Sequence, residues 1–216
     1  MAKVQGVKEK LHAPIYDAFF IPELDKTPQG TFQSAMTDPR VIRFFVDVQN
    51  KTKLETNLQA SGVLPSLNTF EARALRVVVS NLRFDSTKPY DEGIKSNLNE
   101  SEILADLIYN SVTSLIVGEK IMIEMPTYWF PAGAGVSPGF PTVSSHGEPD
   151  PMATFRFAEP VLIEPQQNFR VEMLFPRGVP GQGTTPTTSE GTKLANVTGP
   201  LRIWVVLDGY LTRDVQ

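Results

Sequence analysis

Apolar and polar residues alternate with a period of two through most of the chain. Ile42, Phe44, Val46 and Val48 fall on one face and Arg43, Asp47 and Gln49 on the other, as in a half-buried strand. Lys51-Thr52-Lys53 predicts a polar turn, 54–58 a segment pairing back, and Gly62 and Pro65 a loop. Over 70–79 the apolar face changes midway. Phe70, Ala72 and Ala74 share one parity, and Leu75, Val77 and Val79 the other. A bulge near Ala74 produces this pattern, and so does a strand buried on both faces. Leu115-Ile116-Val117 runs into Gly118-Glu119-Lys120, after which Ile121, Ile123 and Met125 alternate with Lys120, Met122 and Glu124. Strand signals return at 154–157 and 161–163. Phe169, Val171, Met173 and Phe175 then alternate with Arg170 and Glu172. The last segment sets Leu201, Ile203, Val205 and Leu207 against Arg202, Trp204 and Asp208, and Asp208-Gly209 signals a turn or bulge. One stretch has helical spacing. Between Glu100 and Tyr109, Ile103, Leu104, Leu107 and Ile108 form a single stripe, with Asn99 placed as N-cap and Glu102 as its capping-box partner.

About eight strands with no strand–helix–strand rhythm predict an all-β fold. The expected form is an antiparallel β-sandwich, a single jelly roll, with one short amphipathic helix and long loops. Before Val41 the pattern is broken by Pro14, Pro22, Pro28 and Pro39, around a short apolar patch, Ala18-Phe19-Phe20-Ile21. Residues 1–40 are therefore expected to form an extended N-terminal arm, packed on its own domain or on a neighbour, and 41–216 the sandwich domain. Residues 178–200, rich in Gly, Thr, Pro and Ser, are expected to be a mobile surface loop.

Composition narrows the chemistry. The 216 residues are 41% hydrophobic and 20% charged, enough for a folded core. Twenty basic against 24 acidic residues give −4, which argues against a dedicated nucleic-acid binder. With no cysteine there is no disulfide framework, cysteine–zinc site or thiol nucleophile. No run approaches the roughly 18 apolar residues of a membrane span. The start, MAKVQGVKEKLHAP, carries lysines without the apolar stretch of a secretory signal. The two histidines, His12 and His146, are far apart, so no transition-metal site is expected. Ser144-Ser145-His146 is adjacency without catalytic geometry, and no G-x-S-x-G is present. The glycines of 133–139 lack the Gly-Lys-Ser/Thr ending of a phosphate loop. Glu100, Glu102 and Asp106 lie on the polar side of the helix, and Glu159 and Glu164 have no assignable partner. Asp47 and Asp208 are expected to pair across strands with basic residues. Lys3, Lys8 and Lys10 read as a solvated tail. The chain is expected to be neither an enzyme nor the holder of a cofactor or metal.

Apolar residues outside regular strands point instead to assembly. Tyr128-Trp129-Phe130 lies between Pro126 and Pro131, and Phe19-Phe20-Ile21 lies in the arm. Both are candidate intersubunit contacts. TNLQASGVLPSLNTFEARALRVVV (56–79), the helix followed by VGEKIMIEMPTYWFPAGAGV (117–136), FRVEMLFP (169–176) and LRIWVVLDGYLTRDVQ (201–216) carry a resemblance. The chain past residue 40 resembles jelly-roll major capsid proteins of icosahedral, often membrane-containing, bacterial and archaeal viruses. It is too short for two jelly rolls, so it resembles the single type whose strands stand upright on the shell. The resemblance implies a structural subunit of a virion, a bacteriophage capsid protein made in the host cytoplasm. It implies self-assembly into pentamer- or hexamer-like capsomers, contacts with other capsid or spike proteins, and an internal viral membrane nearby. It implies no sequence-specific nucleic-acid contact. The rival reading is a receptor- or carbohydrate-binding β-sandwich, in which Tyr128 and Trp129 stack on sugars.

Overall fold

The computed structural model describes residues 8–21, 31–38, 40–80, 100–130, 154–181, 194–197 and 201–214, with backbone alone at 80, 100–104 and 196. Nine strands are present among them: β1 (Lys8–His12), β2 (Ile15–Ile21), β3 (Val41–Phe44), β4 (Thr69–Ser80), β5 (Val112–Val117), β6 (Lys120–Pro126), β7 (Arg156–Ile163), β8 (Phe169–Leu174) and β9 (Leu201–Asp214). Two helices, α1 (Phe32–Ala35) and α2 (Glu100–Tyr109), lie in connections.

The antiparallel pairs are nested. β5 pairs with β6, β4 with β7, β3 with β8 and β2 with β9, as if the chain were doubled back about the Gly118-Glu119 turn. This doubled ribbon is rolled into two sheets, one ordered β1/β2–β9–β4–β7 and the other β3–β8–β5–β6. It is a single jelly roll. The alternation read from the sequence supplies the core. Leu201, Ile203, Val205 and Leu207 face Phe169, Val171 and Met173 from the opposite sheet, all buried in one cluster.

The expected arm differs. Residues 8–12 and 15–21 are edge strands on β9, with Ile15 opposite Leu207 and Ile21 opposite Leu201. Pro14 interrupts the helical and strand patterns in the sequence, yet it sits at an edge, where a missing N–H costs no ladder bond. Residues 8–21 thus belong to the sandwich, while 1–7 and 22–30 lie outside the described residues.

The predicted strand at 41–49 stops early because Phe45 is left-handed, with φ 69°. That conformation costs a bulky residue about 1–3 kcal/mol. Asp17, fully buried on the inner face of β2, compensates for it. Its Oδ2 accepts the Phe45 N–H at 2.7 Å, and Lys51 Nζ reaches both carboxylate oxygens at 2.9 and 3.0 Å. The Phe45 ring then packs on Phe169, 5.3 Å between centroids. Val46 is left exposed. The segment 54–58 does not pair back as a strand. It lies over the outer face of the five-stranded sheet, where the Leu54 carbonyl accepts Trp204 Nε1–H at 2.9 Å.

The parity change in β4 is a bulge: the register against both β7 and β9 shifts between Ala72 and Ala74. Gly209, opposite Ala72, takes the close approach this creates, since a Cβ there would stand 2.1 Å from Glu71 O. Of the turn or bulge expected at Asp208-Gly209, the structure has the bulge: the dipeptide runs on within β9, opposite the shift between Ala72 and Ala74. A second shift, between Leu115 and Ile116, turns Ile121 to the outside, against the expected inward position. The two strand signals around Pro160 join as one strand, β7, at the outer edge of its sheet. Part of the expected surface loop is core: Val179, Leu194, Ala195 and Val197 are buried, and Val197 O accepts the Phe32 N–H at 2.7 Å. Residues 182–193 lie outside the described residues.

Two measurements test this account. Gly209→Ala is expected to cost about 1–3 kcal/mol or more by forced strand separation, read by chemical denaturation, and an unchanged midpoint would disprove the close approach. Burial raises the Asp17 carboxyl above its ordinary value of 3.8, with Lys51 opposing. A raised acid contributes stability that is complete below its unfolded value and lost as pH rises through the folded one. The melting temperature of wild type relative to Asp17→Asn should therefore fall as pH rises from below 3.8 toward neutrality. A pH-independent difference would contradict it.

Candidate interaction surface

The jelly-roll winding sends the β2–β3, β4–β5, β6–β7 and β8–β9 connections to one end of the sandwich, and α1, α2 and two 3₁₀ turns, Thr127–Trp129 and Leu194–Asn196, meet there. The first of these turns carries the expected aromatic triplet.

Its two ends are buried and pinned. Thr127 is fully buried, its Oγ1 2.7 Å from Ser111 Oγ and 2.8 Å from Thr113 Oγ1, while Ser111 Oγ donates to the Leu107 carbonyl at 2.5 Å. The Thr127 N–H donates to Ser111 O at 3.0 Å. At the other end Phe130 is fully buried, and its carbonyl accepts the Val77 N–H at 3.1 Å. β7 pairs with β4 only as far as Arg156 opposite Ala74, so Phe130 takes the β4 edge where β7 stops. Between these anchors Tyr128 and Trp129 must point outward.

They are 50% and 47% exposed, and Tyr109, the last residue of α2, is 74% exposed. The three rings stack in series. Tyr109 and Tyr128 are 6.0 Å apart at 22°, and Tyr128 and Trp129 6.0 Å apart at 29°. Trp129 meets Phe155 edge-on at 6.1 Å, and Phe155 meets buried Phe130 at 5.5 Å. The result is a ladder of rings rooted in the core that ends, among the described residues, at the exposed Tyr109. Such a surface offers apolar area and π-faces to a partner at little cost in side-chain entropy.

The six expected contact residues thus separate. Tyr128 and Trp129 stand on the surface. Phe130 and Ile21 are fully buried and serve the chain's own core. Phe19 packs edge-on against Phe32 at 5.7 Å, and the Phe20 ring lies under the Arg202 guanidinium at 4.4 Å. Arg202, expected on a polar face, is buried, and burial lowers its pKa against the pull of Glu55. Tyr109 is not among the residues expected to make contacts. Its signal was an aromatic off the apolar stripe of α2.

Asp208 meets His12 Nε2 at 2.7 Å and Arg76 at 3.8 Å, across strands as expected. Among the described residues no group of three or more His, Asp or Glu is placed to hold a metal, and no helix is long and apolar enough to cross a membrane. His146, Ser144, Ser145 and the glycines of 133–139 lie outside the described residues. No protein-family model matches the chain, and comparison with curated proteins and with solved structures likewise gives no match.

Thr127→Val keeps the volume but leaves the Ser111 and Thr113 hydroxyls short of a partner, at an expected cost of about 1–3 kcal/mol. It should also raise the mobility of Trp129, read as lower fluorescence anisotropy in a Trp204→Phe background. Unchanged anisotropy would show that the hydroxyl chain does not hold the turn.

Proposed function

We propose that the chain is a structural subunit of an icosahedral viral shell, one jelly roll per subunit, whose work is self-assembly and not catalysis. The observation that carries this reading is the exposed Tyr109–Tyr128–Trp129 ladder, held from beneath by buried Thr127 and Phe130 at the loop-bearing end of the sandwich. Large aromatics that are half exposed yet rigidly supported are what a subunit interface uses as its anchors. The resemblance of 56–79, 117–136, 169–176 and 201–216 to single jelly-roll capsid proteins supplies the assembly: pentamer- or hexamer-like capsomers of a bacteriophage virion, in contact with other capsid or spike proteins and near an internal viral membrane. Repetition around closed symmetry axes turns modest contacts into a stable shell.

The same rings support a second reading, a receptor- or carbohydrate-binding sandwich. Here the exposed parts of Tyr109, Tyr128 and Trp129 would meet a sugar. Reproducible glycan-array binding by a protein that stays monomeric or trimeric would favour it.

Mass photometry across concentration and salt tests the shell reading, with capsomers or shell-sized particles expected. The double variant Tyr128→Ala, Trp129→Ala should keep the melting temperature within a few degrees and lose about 2 kcal/mol per contact, raising the assembly concentration roughly thirtyfold. Assembly at the wild-type concentration would overturn the role of the ladder, and a strict monomer under every condition would count against the shell.

A further inference from the structure

The β1 strand is held differently from every other strand of its sheet. No residue of 8–12 belongs to the buried core, and Lys8, Lys10, Leu11 and His12 are exposed. Its ladder runs along 210–214 of β9, from Lys8 opposite Asp214 to His12 opposite Tyr210. Side-chain charges supply the rest. Glu9 pairs with Arg213, Lys10 Nζ meets Glu71 Oε2 at 2.5 Å, and His12 meets Asp208 at 2.7 Å. Lys10 and Arg73 both lie over the Tyr210 ring at 5.0 Å. Lys10 and Arg73 hold the Glu71 carboxyl below its ordinary range, so the acceptor is charged. Exposed pairs of this kind are individually weak and are screened by salt.

The hinge behind β1 is defined. Ala13 N–H donates to Gly209 O at 3.3 Å, and the Pro14 carbonyl accepts Asn57 Nδ2–H at 2.8 Å. Beyond it β2 is locked by Ile15, Asp17 and Ile21 in the core. β2 therefore has core anchors of its own that do not depend on β1.

We propose that β1 is exchangeable between copies: Lys8–His12 of one chain pairs with the 210–214 segment and Glu71 of a second chain, in the register it takes within its own. Every group that receives β1 is carried by β4 or β9, so a second chain presents an identical acceptor. The charge order fixes the register in either case. A slip of one residue in either direction sets Lys8 or Lys10 opposite Arg213, and like charges directly opposite are disfavoured. Because the contacts are the same within and between chains, the balance depends on the hinge and on local concentration. The exchange does not rest on the shell reading and does not use the aromatic end.

Two charge-inverted variants test it. The first carries Glu9→Arg and Lys10→Glu, the second Glu71→Lys and Arg213→Glu. In each alone, β1 is repelled by its own acceptor. In a mixture both intermolecular pairings are matched. Hydrogen exchange at 210–214 should be fast in either variant and slow again in the 1:1 mixture. Native mass spectrometry, which separates the variants by mass, should find the mixed dimer in about tenfold excess over each like dimer. Exchange that stays fast after mixing, mixed dimers at statistical abundance, or variants that alone keep wild-type protection would each overturn the proposal. Both variants keep Tyr128 and Trp129, so loss of shell formation and failure of exchange are read separately.

Discussion

The register of β4 against β9 is the constraint on which the rest depends. β4 has to bury Phe70 and Ala72 at one end and Leu75 and Val77 at the other, and these sets have opposite parity. Without the shift between Ala72 and Ala74, one set would face water and its packing against the other sheet would be lost. The shift needs a backbone at 209 with no side chain, because Glu71 O occupies that space. It also delivers the Val77 N–H past the end of β7, where Phe130 O receives it. The position of the aromatic turn is thus a consequence of how the bulge is placed.

The opposite end of the sandwich is closed by a different device. Asp17 reaches from β2 across to the Phe45 N–H just beyond β3, so a single carboxylate ties one sheet to the other. Burying it is costly, as its raised pKa records, and the Lys51 ammonium and the Phe45 amide offset that cost. Few apolar residues would do the same work. Holding Phe45 at positive φ requires an acceptor at one point in space, and apolar packing has no such direction.

What the sequence revealed follows from these two devices. Alternation depends on which face is buried, so the cores of β8 and β9 and the bounds of α2 were legible from residue types alone, whereas the parity change in β4 fitted a bulge and a doubly buried strand equally until the register against β7 and β9 decided it. The early stop of β3 was not, because Phe45 takes its conformation from Asp17, which lies 28 positions away in the chain. The edge strands β1 and β2 were hidden by Pro14, whose missing N–H is harmless only at an edge, and edges are set by topology. Ile121 was misplaced because the register shift opposite Leu115 leaves no trace in composition. Of the aromatic triplet, the sequence showed three equal residues. Only the hydroxyl chain through Thr127 and the Val77 bond separate Tyr128 and Trp129, which face out, from Phe130, which faces in.

The two ends of the molecule therefore offer partners different physics. At the loop-bearing end, rings rooted in the core present fixed apolar area, whose attraction is not screened by salt. At the other, β1 is held by charge pairs that weaken as ionic strength rises. Under the two proposals, a subunit that uses both would be assembled in stages. The rigid rings favour one orientation of contact from the outset. The proposed exchange of β1 needs no such contact, though any contact that brings two copies together would raise the local concentration of its acceptor.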